Sequence, residues 1–285
     1  MTELPVDQDR SPKASVILWN CGFRERFHAI KAYLNQSLPA DQYEVLWVEY
    51  YDSVRPEVAE FDKKHENFYV VTMKKRGQWQ FGVCINEGAR LAKGSVLIIS
   101  DGDVVVDERF VSDAIDKHAE MAQLVNYFRR YEEPHEPDEY YDDLEYLKRV
   151  CVLSNPSNYG GCFSIERKNF IALNGYEEDV AFAGPSACAK DAYVRFKNAG
   201  YLVRWDPEPR VFHPWHPGTA PTWVYFLSDQ ERIIRKRELD VSIYPNIGYS
   251  NELNRSSGDF DRVEAAGLKR KAKELTRELI LRLVY

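Results

Sequence analysis

Asp101-Gly102-Asp103 sets two carboxylates two residues apart, directly after the apolar run 96–99. Residues two apart on an extended chain point to the same side, so both carboxylates can converge on one ligand. Carboxylate oxygens suit a hard divalent cation, and Gly102 has no side chain to obstruct it. An Asp-Gly turn joining two strands is the competing reading. Other groups could act with this pair. Glu49 and Asp52 follow a second apolar run, 43–48, where a carboxylate can accept bonds from ribose hydroxyls or a base N–H. Each reads equally well as a solvated loop acid. Lys74, Lys75 and Arg76 form a basic loop that could offset a diphosphate. Gln78, Trp79 and Gln80 beside it could stack and hydrogen-bond, or Trp79 could be core. Val211-Phe-His213-Pro-Trp-His216 adds two imidazoles after an apolar pair.

For these groups to meet, strands must deliver them to one edge. Residues 14–19, 43–48, 68–73 and 96–99 are short, aliphatic or aromatic, and without strict alternation. That is the pattern of strands covered on both faces of a parallel sheet. The stretches 25–36, 55–66 and 81–92 between them read as helices, the first carrying Phe27, Ile30, Tyr33 and Leu34 on one stripe. Alternation of this kind predicts a mostly parallel α/β sheet with right-handed crossovers. Ligands of such sheets sit outside the C-terminal strand ends. Asn20, Glu49 and Asp101 each fall at one.

Beyond Asp103 the pattern predicts a helix over 107–123, with His118 on an ordinary helix face, and a strand over 124–128. Residues 132–143 are rich in carboxylates, with two prolines. They read as an exposed loop, placed to act as a lid, with His135 a solvated member. A short helix over 167–173, a strand over 201–205 and helices over 223–239 and 259–285 complete the chain. The last carries a leucine stripe beside several lysines and arginines. That face suits packing on the body or on a partner, or a peripheral contact with an anionic membrane.

Composition narrows the function classes. The 285 residues provide ample core. A net charge of −7 argues against general nucleic-acid binding, which selects basic surfaces. Cys21, Cys84, Cys151, Cys162 and Cys188 are scattered and odd in number. They read as reduced thiols in a cytoplasmic protein. Residues 1–13 are polar, unlike a signal peptide, and read as a flexible N-terminus. No window approaches a membrane span.

In order, Asn20, Glu49 with Asp52, Asn86-Glu-Gly88-Ala89 and Asp101-Gly-Asp103 resemble the nucleotide-binding half of a GT-A glycosyltransferase of the inverting family 2 group. Tyr159-Gly160-Gly161 resembles that family's segment passing close to the donor sugar, and Asn174-Gly175-Tyr176-Glu177 its step into the acceptor site. The resemblance implies a GT-A-like, Rossmann-like catalytic domain over 14–220, with a nucleotide-binding half at 14–110 and an acceptor half at 111–220. A helical C-terminal extension covers 221–285. It also implies a metal-dependent inverting transfer of a hexosyl group from a nucleoside-diphosphate sugar, UDP-sugar by preference, to a saccharide or lipid-linked acceptor hydroxyl, in surface polysaccharide or glycoconjugate synthesis. Asn20, Glu49, Asp52, Arg76, Asn86, Asp101, Gly160 and Gly161 would meet the donor. Asp101, Asp103 and His213 would hold Mn²⁺ or Mg²⁺, the imidazole leaning towards Mn²⁺, with His216 at the diphosphate or packed on Trp215.

The family's Glu-Asp acids align with Cys188 and Ala189, which have no basic group. That leaves Asp191 as the candidate base, or equally a helix N-terminal residue, with Glu177, Glu178 and Asp179 behind it. Two alternatives stand beside this reading. One is a catalytically inactive nucleotide-sugar-binding module. The other is a nucleotidyltransferase, for which residues 20–24 make a poor phosphate loop.

Overall fold

In the computed structural model, which describes residues 11–137, 139, 142–184, 187–217 and 227–237, the four apolar runs are strands of one eight-stranded sheet. β1 (Ala14–Asn20), β2 (Tyr43–Glu49), β3 (Phe68–Thr72) and β4 (Val96–Asp101) pair in parallel in the order β3-β2-β1-β4. Helices α1 (His28–Leu34), α2 (Pro56–Lys64) and α3 (Phe81–Leu91) connect them. Both β1 and β2 are buried along their whole length. Ile17, Leu46 and Ile99 share a core with Cys84 and Ala89 of α3, while Val16, Val45 and Ile98 pack with Ala29 and Ile30 of α1. Two covered faces leave no solvent side, hence the absence of alternation. At Gly88 a Cβ would lie 2.6 Å from Ile17 Cγ2, so a side chain there would hold α3 off the sheet.

The second half is mixed. α4 (Phe110–Glu120) leads to β5 (Leu124–Glu132), followed by α5 (Leu144–Val150), β6 (Val152–Asn155), β7 (Cys162–Glu166), α6 (Arg167–Ala172), α7 (Cys188–Asn198), β8 (Leu202–His213) and α8 (Leu227–Arg237). β7 runs antiparallel between β4 and β5, β6 antiparallel to β5, and β8 parallel to β5. The result is the expected α/β sheet flanked by helices, of the Rossmann-like GT-A kind, with its parallel pairing concentrated in the first half.

Two local expectations change. The strand expected over 201–205 continues to His213 despite Pro207 and Pro209, because its pairing with β5 shifts register between Phe128 and Arg130 and absorbs the irregular residues. The acidic stretch is built in at both ends. Glu132 closes β5, and buried Glu133 accepts the Trp215 N–H at 2.8 Å and the Tyr146 hydroxyl at 2.7 Å. Asp143 caps α5 by accepting the Tyr146 N–H at 2.8 Å. The expected helix over 259–285, Trp223, Tyr225 and Phe226 lie outside the described residues. No helix among the described residues is long and apolar enough to cross a membrane.

Candidate metal and donor site

The edge formed by the ends of β1, β2, β4 and β8 gathers the chemistry. In register, Asn20 of β1 stands opposite Glu49 of β2, Trp19 opposite Asp101 of β4, and His213 of β8 opposite Glu132 of β5. Just past β4, Asp103 meets His213 and His216, with one ligand atom from each within 4.8 Å of the others. The His213 and His216 Nε2 atoms are 3.2 Å apart, and each lies 3.6 Å from an Asp103 carboxylate oxygen.

The tautomers follow from the partners. His213 Nδ1 is 2.6 Å from Glu132 Oε2, and His216 Nδ1 is 2.9 Å from the Pro217 carbonyl. A carbonyl only accepts, and the carboxylate does so when ionised, so Nδ1 carries the proton in both rings. Both Nε2 atoms are left facing Asp103, whose buried Oδ1 has no hydrogen-bond partner. An oriented pair of imidazoles and an orphaned carboxylate oxygen fit a divalent cation. Metal–imidazole bonds of about 2.1 Å would span the gap between the nitrogens. Glu132 is the outer carboxylate that fixes such a histidine. Arg130, hydrogen-bonded to it at 2.7 Å, and His213 together hold Glu132 below its usual range against the effect of burial.

Asp101, expected as a ligand, is drawn elsewhere. Arg130 Nη1 donates to its Oδ2 at 2.9 Å, and its own N–H donates to the Gly161 carbonyl at 2.9 Å. Burial and the charge of Asp103 push Asp101 up to about 6. Burial also opposes ionisation of Asp103, yet Arg24 and the two histidines outweigh it and hold Asp103 well below the carboxylate range. The third member of the cluster is His216.

Two partners of Asp103 escaped the reading of the sequence. His28 Nε2–H donates to the Asp103 carbonyl at 2.8 Å and pins its backbone. Arg24 is buried, with Nη2 3.3 Å from Asp103 Oδ2, its guanidinium 4.4 Å from the Trp19 ring, and Nε and Nη1 without hydrogen-bond partners. At Gly102 a Cβ would lie 2.9 Å from Arg24 Nε, so only glycine lets this arginine reach the motif. The signal was present as one of two arginines in the loop after β1, but its target lies far along the chain.

Beside the motif a cleft of about 530 Å³ brings Asp101 and Gly160 together with Trp19, Trp79 and Phe81. Other expected donor residues are placed differently. Asn20 donates to Glu49 Oε2 at 2.8 Å and both are buried, with Asn20 Oδ1 and Glu49 Oε1 unpartnered. Burial raises Glu49 despite that bond. Asp52 is exposed and pairs with Lys74 at 3.6 Å, while Arg76 is exposed and has no ion pair among the described residues. Asn86 is buried under the loop before α7, donating to the Tyr176 carbonyl and to Glu178 Oε1, each at 2.8 Å.

The candidate bases are committed to guanidinium groups. Asp191, 0% exposed, accepts from Arg195 Nε at 2.9 Å and from Arg237 Nη1 at 2.6 Å. Arg237 Nη2 donates to Glu177 at 2.6 Å, and Arg90 to Glu178 at 3.0 Å. Asp179 caps the turn Val180–Phe182. Asp191 therefore sits as the structural alternative would have it: clamped by two arginines and closed to solvent, it is out of reach of an acceptor hydroxyl. At the family's acidic position Ala189 lines the cleft instead, next to Lys190.

Fold and site together define a GT-A-like scaffold with a metal-competent strand edge. Among the solved structures that share this fold is GalNAc-T7 with UDP, GalNAc and Mn²⁺, with a TM-score of 0.57 and 15% identity. The match covers 76% of this chain and 46% of that one, so this chain spans about half the length of its neighbour. No family model and no curated protein matches the sequence.

Proposed function

We propose that the chain is a glycosyltransferase that transfers a sugar, with inversion, from a nucleoside-diphosphate sugar to a saccharide or lipid-linked acceptor. The observation that carries this reading is the convergence of Asp103, His213 and His216, with both Nδ1 protons already committed to other partners. The UDP and Mn²⁺ present in the fold neighbour support it, and so does the family 2-like order of motifs. Residues 14–110 would form the donor half, 111–220 the acceptor half, and 221–285 an appended segment.

Asp103, His213 and His216 would hold Mn²⁺, which two imidazoles favour over Mg²⁺. A bound ion supplies positive charge where the diphosphate departs. The chain's own residues prepare that place. Glu132 fixes the His213 ring, His28 fixes the Asp103 backbone, and Arg24 keeps Asp103 ionised. With two unpartnered nitrogens, Arg24 also adds a second cation for the departing charge. Trp19, Trp79 and Phe81 form an apolar wall of the cleft.

Calorimetry tests this. UDP should bind tightly with Mn²⁺ present and weakly with chelator, and His216→Ala should remove the difference. Equal affinity in both conditions would sink the shared-ion site. Ala189 on the cleft wall favours a second reading, a nucleotide-sugar-binding module without turnover. That module would bind UDP with Mn²⁺ yet transfer nothing.

A further inference from the structure

A second cleft, of about 760 Å³, opens between α1, the loop after β4 and the start of α5. Among the described residues it shares no lining with the cleft beside Asp101. Its volume is that of a small-molecule site. Val105 and Val106, both buried, and Ala32 and Leu144, both half-buried, give it apolar surface. Around them stand charges of both signs. Lys31 faces Asp142 at 3.3 Å, and Lys148 donates to Glu145 at 2.8 Å. Arg109, Asp107 and Glu108 add to the lining. His28 belongs to it too and is only 5% exposed. Its Nε2–H donates to the Asp103 carbonyl, so Nδ1 of the neutral ring carries a lone pair. That lone pair is buried and has no partner among the described residues. A buried acceptor without a donor is uncommon.

We infer that this cleft is a saccharide site, in which a sugar hydroxyl donates to His28 Nδ1. The site goes beyond sugar transfer and rests on that reading for its use alone, which is to hold a sugar chain away from its reacting end. The lining selects the class. A hydroxyl both donates and accepts, so neighbouring hydroxyls can bridge the carboxylates and the ammonium groups without disturbing their charge balance. Exposed pairs such as Lys31–Asp142 are weak and yield readily to such bridging. A polyanion would displace Asp142 and Glu145 from their lysines, and a polycation would displace the lysines, each setting like charges side by side. The C–H face of a pyranose ring lies on the apolar surface and gains from its burial.

The experiment uses the full chain at neutral pH without Mn²⁺, whose paramagnetism would broaden the signals. The probes are cellotriose, maltotriose and chitotriose, with spermine and inorganic phosphate as charged controls. Affinity is read by calorimetry. The ring ¹⁵N signals of the histidines are followed by NMR, His28 being assigned by its loss in His28→Gln. At least one trisaccharide should bind with a Kd of about 1 mM or below and shift His28 Nδ1. Asp142→Ala should weaken that binding at least about tenfold, as loss of a bond to a charged group does. Asp142 is exposed, and circular dichroism checks that the variant keeps its fold. Lys190→Gln, in the other cleft, should leave the binding unchanged.

Absence of trisaccharide binding overturns the inference, and so does tighter binding of spermine or phosphate than of any sugar. Binding that Lys190→Gln removes and Asp142→Ala does not would put the sugar beside Asp101 and overturn it as well. UDP binding with Mn²⁺, measured in parallel, keeps the two readings apart. A chain that binds UDP but no saccharide at His28 loses the inference alone. One that binds the saccharide but no UDP loses the transfer reading and keeps the saccharide site.

Discussion

The same residue types build two clusters that differ in every functional respect. At the end of β8, Asp103, His213 and His216 turn open ligand atoms towards one another, with Glu132, His28 and Arg24 supporting them from behind. Beneath α8, Glu177 and Asp191 are closed over by Arg195 and Arg237, whose guanidinium groups take up the carboxylates and the carbonyls of Leu173 and Gly175. One cluster keeps orphaned polar atoms and the other keeps none on its carboxylates. Buried polar groups are ordinarily satisfied, so the orphans make the first cluster the candidate ligand site, while the second is closed on itself. It also ties α8 to the segment that carries the cleft wall, since Gln230 bonds the Ala181 carbonyl and the Ala187 N–H.

The largest expected effect falls on the closed cluster. Asp191→Asn or Arg237→Gln leaves a buried charge uncompensated and should cost about 3–5 kcal/mol in urea unfolding, with Mn²⁺ affinity unchanged in the protein that remains folded. Undiminished stability with lost turnover would return Asp191 to the role of base and erase the contrast.

His118, outside both clusters, sharpens it. It is buried against Ser164 with no carboxylate closing its ring, and burial lowers it to about 4. The folded state resists protonation there while the unfolded chain takes a proton near its ordinary pKa of about 6.5. Stability should therefore be full above about pH 6.5, fall as pH drops towards 4, and level off below, for a loss of about 3 kcal/mol. His118→Asn should flatten that part of the profile. An unchanged slope would show that His118 titrates freely.

A smaller effect belongs to Glu132. Glu132→Gln should weaken Mn²⁺ binding by about 10–100-fold, as expected for a carboxylate that orients a ligating histidine. If the affinity holds, Pro217 and His216 orient the site without it. The exposed pair Asp52–Lys74 should matter least: Asp52→Ala should change stability by no more than about 0.5 kcal/mol and leave UDP affinity as it is. A marked loss of UDP affinity would restore Asp52 to the donor site.

Much of the fold was legible because it is written locally. Fully covered strands read as unbroken apolar runs, and the helices between them show their own stripe, so β1 to β4 and α1 to α3 follow from short windows. Asp101-Gly-Asp103 at a strand end and His213 after another apolar pair were visible for the same reason. Which carboxylate does what was not legible, because pairing ignores chain distance. Arg130 is 29 residues from Asp101, Arg237 is 46 from Asp191, and His213 is 81 from Glu132. Composition marked Glu132 and Glu133 as part of a solvated loop, yet the β5–β8 register sets Glu132 opposite His213 and makes it part of the site. Asp191 and Asp103 are equally acidic in the sequence. Tertiary structure gave Asp191 two guanidinium partners and Asp103 two imidazoles beside Arg24, and that difference in desolvated neighbours separates a closed acid from a candidate ligand.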